Sequence, residues 1–343
     1  MRTILTRLFA ILLPIYSFGN VDLEKNCQDF VVETKRIHIP SYPNAFNPSI
    51  IRWKERLWMT FRNIPDPKQS FTSHLGIVEI DEKFKVISTP QFFDLTPPGI
   101  SFQIPSRAED ARLIVVGDDL YIIYSDNRDA VITKGGFRVY TAQLEYFEGK
   151  FYAKSIEVLK RYPGESQFVR EKNWVPFVYQ NELLLAYSLD PHLIFRPLPG
   201  LGECETFTQS NKLLSWKWGI LRGGTPGLNI DGTQYFAFFH SSIKMKTIHS
   251  SGKEMLHYFV GAYTFSLEPP FEITQISPEP IIGKGFYTGE VYKPYWGSIR
   301  TVFPGGYIYD DEFIWVLYGR QDHEMWVAKI DRRGLFQSLV PVP

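Results

Sequence analysis

Apolar and polar positions alternate in short runs along most of the chain, and one two-strand pattern recurs five times. Each copy has a polar or Gly/Pro-containing start, a short strand, a polar turn and an aromatic-rich strand that ends in a polar residue. The copies span residues 47–63, 109–127, 173–191, 223–241 and 300–322. Their turns are Lys54-Glu55, Asp118-Asp119, Gln180-Asn181, Asp231-Gly232 and Asp310-Asp311. Such alternation is typical of β-hairpins, and no long stretch has helical periodicity, so the sequence predicts an all-β protein.

The spacing of the hairpins indicates how they are arranged. They begin at intervals of about 50 to 80 residues, with further strand-like segments between them. One small four-stranded sheet per interval is typical of a β-propeller, in which each sheet packs on its neighbour and the closed ring leaves no long edge. We therefore expect a five-bladed β-propeller. A two-sheet sandwich is the alternative.

If each hairpin supplies the two inner strands of a blade, its first and last residues lie on one face of the ring. Charged and polar side chains at those positions would then converge on a central active-site funnel. These residues are Arg62, Asp110, Arg112, Asp126, Asp190, His240, Arg320 and Asp322.

The composition narrows the range of partners. Lys+Arg and Asp+Glu both total 37, so the formal net charge is zero, which argues against a general nucleic-acid binder or a polybasic membrane-surface protein. Aromatic residues make up 16% of the chain. Tyr and Trp rings suit a sugar-binding cleft because they stack on pyranose faces, but most of these rings are expected in the core.

Residues 1–19 have the pattern of a signal peptide. Arg2 and Arg7 precede the apolar run Leu8–Phe18, and Ser17-Phe18-Gly19 resembles a cleavage site. The run is short for a membrane span, although an uncleaved anchor is the alternative. We expect residues 20–343 to form one propeller domain that is secreted, periplasmic or in the lumen of the secretory pathway, with no stable membrane insertion after cleavage.

Cysteine and histidine spacing gives no support for a metal site. The two cysteines, Cys27 and Cys204, lie far apart in the sequence and could pair in an oxidising compartment. No CxxC or HExxH spacing is present. We therefore predict that the protein needs neither a metal ion nor a bound cofactor.

The segment Glu109-Asp110-Ala111-Arg112 is the densest cluster of charge at a hairpin start. Asp110 is the best candidate for a proton donor, because opposing charges on both sides can tune its carboxyl group. The alternative is a structural Asp110–Arg112 pair. In a regular strand Glu109 and Asp110 would point to opposite sides, so we do not expect both to face one substrate.

A second set of residues is cationic and lies at hairpin ends or just before hairpin starts. Converging side chains of this kind would hold phosphate or a sugar nucleotide diphosphate. The set comprises Arg62, Arg112, Lys172, Arg222 and His240. The glycines of "RGGTPG" (222–227) would let the backbone approach a ligand closely. Taken singly, each of these cations is more often a solvated surface charge.

These motifs together resemble glycoside hydrolase family 130, which contains inverting β-mannoside phosphorylases and mannosidases, and the related five-bladed β-1,2-mannosyltransferases. The resemblance covers roughly residues 40 to 335. It is carried, in order, by "FNPS", "EDAR", "KNWVPF", "RGGTPG", "FFHSS", "YFVGAYTFSLEPPFEI", "VFPGG" and "YGRQD".

The resemblance implies a five-bladed propeller in which Asp110 is the catalytic acid. It implies phosphate binding by Arg222, His240 and Tyr258, and we expect Lys172 of the cationic set to join them. Expected substrate-binding residues are Arg62, Glu109, Arg112, Asn173, Asp190 and Asp322. Ala111, Ser241 and Gly227 stand where the family commonly has other residues, and Arg222 stands where phosphorylases more often have lysine. These departures bear on the subgroup and not on the fold.

The resulting prediction is a carbohydrate-active enzyme that acts on β-mannosides, with an oligosaccharide or glycan as substrate. Inverting glycosyl transfer to or from inorganic phosphate is the first interpretation. A β-mannosyltransferase that uses a sugar nucleotide as co-substrate and a non-catalytic glycan-binding propeller are the alternatives. Hydrolysis is less favoured, because it needs a base to activate water and the sequence offers only Asp190 or Glu109 as guesses.

Overall fold

The computed structural model describes residues 21–66, 72–99, 105–128, 136–165, 170–292 and 297–343. The predicted signal peptide lies outside these residues, so it stays a prediction. In the described part of the chain, no helix has the length and apolar character needed to cross a membrane. Most of the regular structure in these residues is antiparallel β-strand, with a short helix α1 (Arg332–Ser338) near the end of the chain.

Strand β1 (Val31–Ile37) comes first, and three four-stranded blades follow it in chain order. Blade 1 contains β2 (Phe46–Trp53), β3 (Arg56–Asn63), β4 (His74–Ile80) and β5 (Gln91–Phe92). Blade 2 contains β6 (Glu109–Val116), β7 (Asp119–Asp126), β8 (Arg138–Phe147) and β9 (Lys150–Val158). Blade 3 contains β10 (Val175–Tyr179), β11 (Glu182–Leu189), β12 (His192–Leu198) and β13 (Glu203–Ser210).

A larger sheet and a closing blade complete the chain. The large sheet contains β14 (Arg222–Gly223), β15 (Leu228–Asn229), β16 (Gln234–Lys246), β17 (Glu254–Ser266), β18 (Ile273–Ile276), β19 (Ile299–Arg300) and β23 (Val340–Pro341). The closing blade contains β20 (Val302–Tyr309), β21 (Phe313–Arg320), β22 (Glu324–Asp331) and β1. Because β1 pairs antiparallel with β22, the N-terminal strand covers the edge of the last blade.

The prediction of an all-β, propeller-like arrangement is confirmed, but the structure shows four four-stranded blades in the described residues and not the five that the sequence predicts. Four sheets have four strands, whereas the fourth hairpin belongs to a sheet of seven. The reason lies in the segment Gly223–Leu228, where glycines and Pro226 break the inner strand into the two-residue pieces β14 and β15. Strands β16 and β17 are thirteen residues each, so their hairpin extends beyond the blade and pairs with additional short strands.

Aromatic side chains fill the layers between neighbouring sheets. Trp58, Tyr124 and Phe151 belong to one buried cluster shared by blades 1 and 2. Phe177 and Phe265 belong to another, shared by blade 3 and the large sheet, where their ring centroids are 5.2 Å apart. Most of the aromatic surplus is therefore used for packing between sheets. Both cysteines are free thiols, so the possible Cys27–Cys204 disulfide is absent.

Candidate active site

An Asn or Asp in the left-handed backbone region lies at or just before the start of three successive inner strands. Asn47, Asp110 and Asn173 have φ values of 48°, 58° and 65°. Asn and Asp tolerate this conformation better than other non-glycine residues. At Asn47 and Asp110 the pairing with the next strand also shifts register, which is the signature of a β-bulge. The three residues therefore present their side chains from equivalent places in blades 1, 2 and 3.

The bulge at Asp110 overturns the expectation that Glu109 and Asp110 face opposite sides. Arg62 Nη1 lies 2.7 Å from Glu109 Oε2 and 4.0 Å from Asp110 Oδ1, so both carboxylates face the same guanidinium. Simple alternation applies to a regular strand, whereas a bulge inserts a residue and re-aims the side chain. Two adjacent carboxylates are thus placed on one side of the strand.

Glu109 is neutralised by two cations. Its carboxylate forms ion pairs with Arg62 on β3 and with Lys172, which lies shortly before β10. The side chains of Arg62 and Glu109 are only 7% and 5% exposed. Buried charges need such pairing, because an unpaired carboxylate would lose its hydration without compensation. Glu109 therefore balances the cations beside Asp110.

Arg112 connects three sheets around the candidate acid. Its Nε donates to the carbonyl of Gly224 at 2.8 Å, and its Nη2 donates to Asn173 Oδ1 at 3.0 Å. Nη1 donates to the backbone carbonyl of Asp110. The guanidinium also lies over the ring of Phe303 on β20, 5.1 Å from its centroid.

This geometry bears on the alternative of a structural Asp110–Arg112 pair. The described hydrogen bond from Arg112 goes to the Asp110 carbonyl and not to its carboxylate. Asp110 Oδ1 instead accepts from Asn47 Nδ2 at 2.9 Å. Burial lowers the pKa of Arg112 to about 10, and the charge of Asp110 opposes that shift, so the guanidinium stays protonated at neutral pH. Arg112 therefore has a structural role: its buried guanidinium bonds the bulge at Asp110 to Asn173 and Gly224.

His240 and Tyr258 lie side by side on the paired strands β16 and β17. Their rings are stacked, with centroids 5.8 Å apart and planes inclined by 14°. Burial lowers the pKa of His240 to about 3, and the charges of Arg112 and Arg222 add to the effect. His240 is therefore neutral at neutral pH, and no described residue forms a hydrogen bond with its Nδ1.

Tyr258 interacts electrostatically with the predicted carboxylates and with the predicted cation Arg222. Burial raises the pKa of its hydroxyl to about 12. Among the carboxylates, Asp322 contributes most to this increase, whereas the charge of Arg222 acts to lower the pKa. The phenol is thus a neutral hydrogen-bond donor at neutral pH. Arg222 is exposed and pairs in register with His240 across β14 and β16. These four residues occupy one neighbourhood with Asp110.

Asp190 is the predicted site residue that the described contacts do not bring into this cluster. It is exposed in the turn between β11 and β12, and no described hydrogen bond or ion pair joins it to the cluster. Lys172 and Asn173, by contrast, contact Glu109 and Arg112 directly. Arg320, which was also expected on this face, instead forms an ion pair with Glu324, and Asp126 accepts from Ser106 Oγ and the Arg107 amide.

The glycines of "RGGTPG" were expected to let the backbone approach a ligand, but Gly223 and Gly224 approach the backbone of neighbouring strands. A Cβ added at Gly223 would lie 2.1 Å from the carbonyl oxygen of Asn173, and one at Gly224 would lie 2.5 Å from that of Phe238. These positions lack side chains so that backbones of neighbouring strands can approach each other. The expected close approach is thus made by protein backbone, and it places the Gly224 carbonyl against Arg112.

Comparison with known proteins supports the same architecture. No protein-family model matches the chain, and no curated protein matches it. Solved structures do match. One is from the GH130 family of mannoside phosphorylases, described as containing glycoside hydrolases that target β-1,2-mannosidic linkages in Candida mannan. It has a TM-score of 0.60 at 13% identity, over 94% of this chain and 96% of that one.

Two proteins from Leishmania mexicana are similar to the same degree. MPT-4, a mannose phosphorylase in complex with phosphate, has a TM-score of 0.58 at 12% identity, over 91% of this chain and 92% of that one. MPT-1, a GDP-Man-dependent mannosyltransferase, has a TM-score of 0.58 at 11% identity, over 88% and 90%. The resemblance to family 130 and to the mannosyltransferases is confirmed at the level of the fold.

Sequence reasoning did not assign a role to Asn47, Phe303 or Arg107. Asn47 bonds to Asp110, and Phe303 packs under Arg112. The Arg107 guanidinium and Lys172 Nζ lie 4.9 Å and 4.0 Å from the centroid of one ring, that of Phe137. The position of Asn47 in "FNPS" at the start of the first hairpin, equivalent to that of Asp110 in the second, is the signal that could have found it.

Proposed function

We propose that this protein is a carbohydrate-active enzyme that acts on β-mannosides by inverting glycosyl transfer to or from phosphate. The observation that carries the proposal is the arrangement around Asp110. One carboxylate is held by Asn47 beside a charge-balanced Glu109, and Arg222, His240 and Tyr258 lie nearby. An acid next to a group of anion ligands is what phosphorolysis requires.

In the proposed reaction the bond between the anomeric carbon and the glycosidic oxygen breaks. Asp110 supplies the proton that the leaving oxygen takes up, either directly or through a substrate hydroxyl. A phosphate oxygen forms the new bond to the anomeric carbon from the opposite face, which inverts the configuration. The products are mannose 1-phosphate and the shortened glycan, and the reverse reaction builds the glycan.

The anion would be bound by one charge and two neutral donors. Arg222 offers an exposed guanidinium. His240 and Tyr258 are both neutral at neutral pH, because burial lowers the pKa of the first to about 3 and raises that of the second to about 12. Neutral donors stabilise an anionic co-substrate without adding charge that must be neutralised when the site is empty. Lys172 would contribute a second cation.

Hydrolysis remains less favoured on physical grounds. Glu109 is adjacent to Asp110 and faces the same guanidinium, but its oxygens are engaged by Arg62 and Lys172. With each of its two oxygens bonded to a cation, this carboxylate has no free oxygen to orient an attacking water. Asp190, the other candidate base, is exposed in its turn.

The alternative co-substrate is a sugar nucleotide. Structures named as a mannose phosphorylase and as a GDP-Man-dependent mannosyltransferase resemble this chain equally well, with a TM-score of 0.58 in each case. The same cations would hold a diphosphate in that reaction. A glycan-binding propeller without catalysis is the third possibility, and the intact cluster around Asp110 argues against it. Inorganic phosphate or the sugar nucleotide would be a co-substrate, with no further cofactor.

We infer that the large sheet serves as the fifth blade and that the site lies in a funnel at the centre of the ring. Inner strands contact one another in sequence around the chain, and Arg112 reaches blade 3, the large sheet and the closing blade. We also propose that residues 20–343 act outside the cytoplasm, as the signal-peptide pattern of residues 1–19 suggests.

A donor screen tests the proposal. The purified protein would be offered mannose 1-phosphate, GDP-mannose, and β-mannobioses with and without inorganic phosphate. Turnover of β-mannobiose that depends on phosphate supports phosphorolysis, and transfer from GDP-mannose alone supports the alternative. Release of mannose at equal rates without phosphate would contradict both. Glycan binding with no turnover of any donor would favour a glycan-binding protein without catalytic activity.

A further inference from the structure

The backbone carbonyl of Tyr258, on one edge of β17, accepts a hydrogen bond from a side chain and not from a neighbouring strand. On that edge, β19 pairs with Leu256 and His257, and Ile281 bridges to Val260. Between these two backbone contacts, Tyr287 Oη donates to the Tyr258 carbonyl at 2.7 Å. Tyr287 is 1% exposed. Its hydroxyl thus replaces a missing strand bond at the residue whose ring stacks on His240.

Glu24, near the beginning of the described chain, anchors the loop that carries Tyr287. Its Oε1 accepts from the backbone amides of Tyr287 at 2.6 Å and Thr288 at 2.7 Å. Its Oε2 accepts from the Gly285 amide at 3.0 Å and from Thr288 Oγ1 at 2.7 Å. Four donors converge on one carboxylate, and a charged acceptor binds such donors about twice as strongly as a neutral one.

The effect of these bonds is visible in the ionisation of Glu24. Burial acts to raise its pKa, but the hydrogen bonds from Gly285, Thr288 and Tyr287 outweigh burial and lower it. The carboxylate form is therefore the one that the loop binds. An amide at the same position would place its NH₂ group against backbone donors.

The segment that contains Glu24 also contacts the tip of the β16–β17 hairpin. Val21 forms a parallel bridge with Thr247, and the amide of Ile248 donates to the Val21 carbonyl at 3.0 Å. The amide of Leu23 donates to His249 Nε2 at 3.1 Å. Residues 21–24 therefore hold the hairpin tip and the 285–288 loop together from one side.

We propose that Glu24 is a positioning residue for the anion-binding group, acting through Tyr287 on Tyr258. It does not touch the proposed site itself. It fixes the 285–288 loop, the loop fixes the Tyr287 hydroxyl, and that hydroxyl fixes the backbone of Tyr258 beside His240. The identity of the bound anion rests on the proposed function, but the mechanical connection does not.

The kinetic test uses Glu24→Gln and Tyr287→Phe, the second of which keeps the ring and removes the hydroxyl. The control is Glu33→Gln, at an exposed position of β1. We expect Glu24→Gln and Tyr287→Phe to raise KM for inorganic phosphate, or for GDP-mannose, by about fivefold or more, as for loss of one hydrogen bond. The kcat should change less than about threefold. A lower melting temperature with KM unchanged would overturn the proposal.

Hydrogen–deuterium exchange tests the connection without any substrate. Glu24→Gln should speed amide exchange in residues 285–288 and also in residues 256–260 of β17. Faster exchange confined to 285–288 would show that the influence of Glu24 does not reach Tyr258, and would overturn the proposal. If the wild-type protein binds neither phosphate nor GDP-mannose, the proposed function fails, and the exchange experiment still decides the role of Glu24.

Discussion

Asn47 donates from Nδ2 to Oδ1 of Asp110 at 2.9 Å, and both residues have a left-handed backbone. The bond joins the first inner strand to the second at the candidate acid. Asn47 also packs closely against Gly319 of the closing blade, where an added Cβ would lie 1.9 Å from Asn47 Oδ1. The orientation of Asp110 therefore depends on a contact between blades 1 and 2, and it can be tested from both of them.

Asn47→Ala should lower both activity and stability. The substitution removes the hydrogen bond to Asp110 and places alanine in the left-handed region, so we expect a loss of about 2 kcal/mol in the free energy of unfolding. Asn181→Ala is the matched control, because Asn181 has φ of 64° in an exposed turn away from the site. Denaturant unfolding and turnover are the measurements. Equal stability losses at both positions with unchanged turnover would contradict the role of Asn47.

Asp110→Asn should abolish activity while the protein stays folded. Asparagine tolerates φ of 58°, so the free energy of unfolding should change by less than about 1 kcal/mol. Loss of a general acid should reduce kcat by about a thousandfold. Asp119→Asn, in the exposed turn that begins β7, should turn over normally. Near-normal turnover by Asp110→Asn would exclude Asp110 as the acid.

Arg222→Ala and His240→Ala should impair use of the anionic co-substrate more than binding of the mannoside. Both residues lie beside Tyr258, and loss of a charge-assisted hydrogen bond should raise KM for phosphate or GDP-mannose by about tenfold or more. Lys217→Ala, an exposed cation paired with Glu279, is the control. Steady-state kinetics with each substrate varied in turn separate the two constants. Unchanged KM for both anions would remove these residues from the site.

Arg112→Lys should destabilise the protein although the charge is kept. An ammonium group cannot reach the acceptors on Asp110, Asn173 and Gly224 together, so buried oxygens lose their partners. We expect a loss of about 3 kcal/mol in the free energy of unfolding. Arg52→Lys, at an exposed pair with Glu82, should change it by less than about 1 kcal/mol. Similar decreases in the free energy of unfolding for the two variants would contradict a structural role for Arg112.

Acidification should destabilise the fold through its buried histidines. Burial lowers the pKa of His192 to about 4 and that of His240 to about 3, whereas unfolded histidine binds a proton near pH 6.5. Below pH 6.5 the unfolded state therefore takes up protons that the folded state does not. The free energy of unfolding should fall between pH 6.5 and 4 by up to about 1.4 kcal/mol per pH unit for each histidine.

Equilibrium unfolding across that range checks this prediction. His192→Asn keeps a polar group near the Phe271 carbonyl and should reduce the slope by the share of one histidine. His38→Asn, the same substitution at an exposed position, is the control. A wild-type unfolding free energy that is flat from pH 6.5 to 4 would contradict the prediction.

Local pattern determined much of this protein. Alternating apolar positions and polar turns predict the hairpins, and those hairpins are present as β2–β3, β6–β7, β10–β11 and β20–β21. The cluster of Glu109, Asp110 and Arg112 was also visible, because adjacent charges at the start of an apolar strand are unusual. Residue type and spacing suffice for such features, since a hairpin is formed by neighbours in sequence.

Contacts between distant segments decided the rest. A bulge exists only relative to the partner strand, so the sequence alone could not show that Glu109 and Asp110 face the same guanidinium, or that Arg112 bonds the Asp110 carbonyl. The seven-stranded sheet, the pairing of β1 with β22, and the reach of Glu24 to Tyr287 likewise join segments far apart in the chain. The sequence by itself determined the strands and the chemistry at their starts, and the tertiary structure alone decided how those residues face one another.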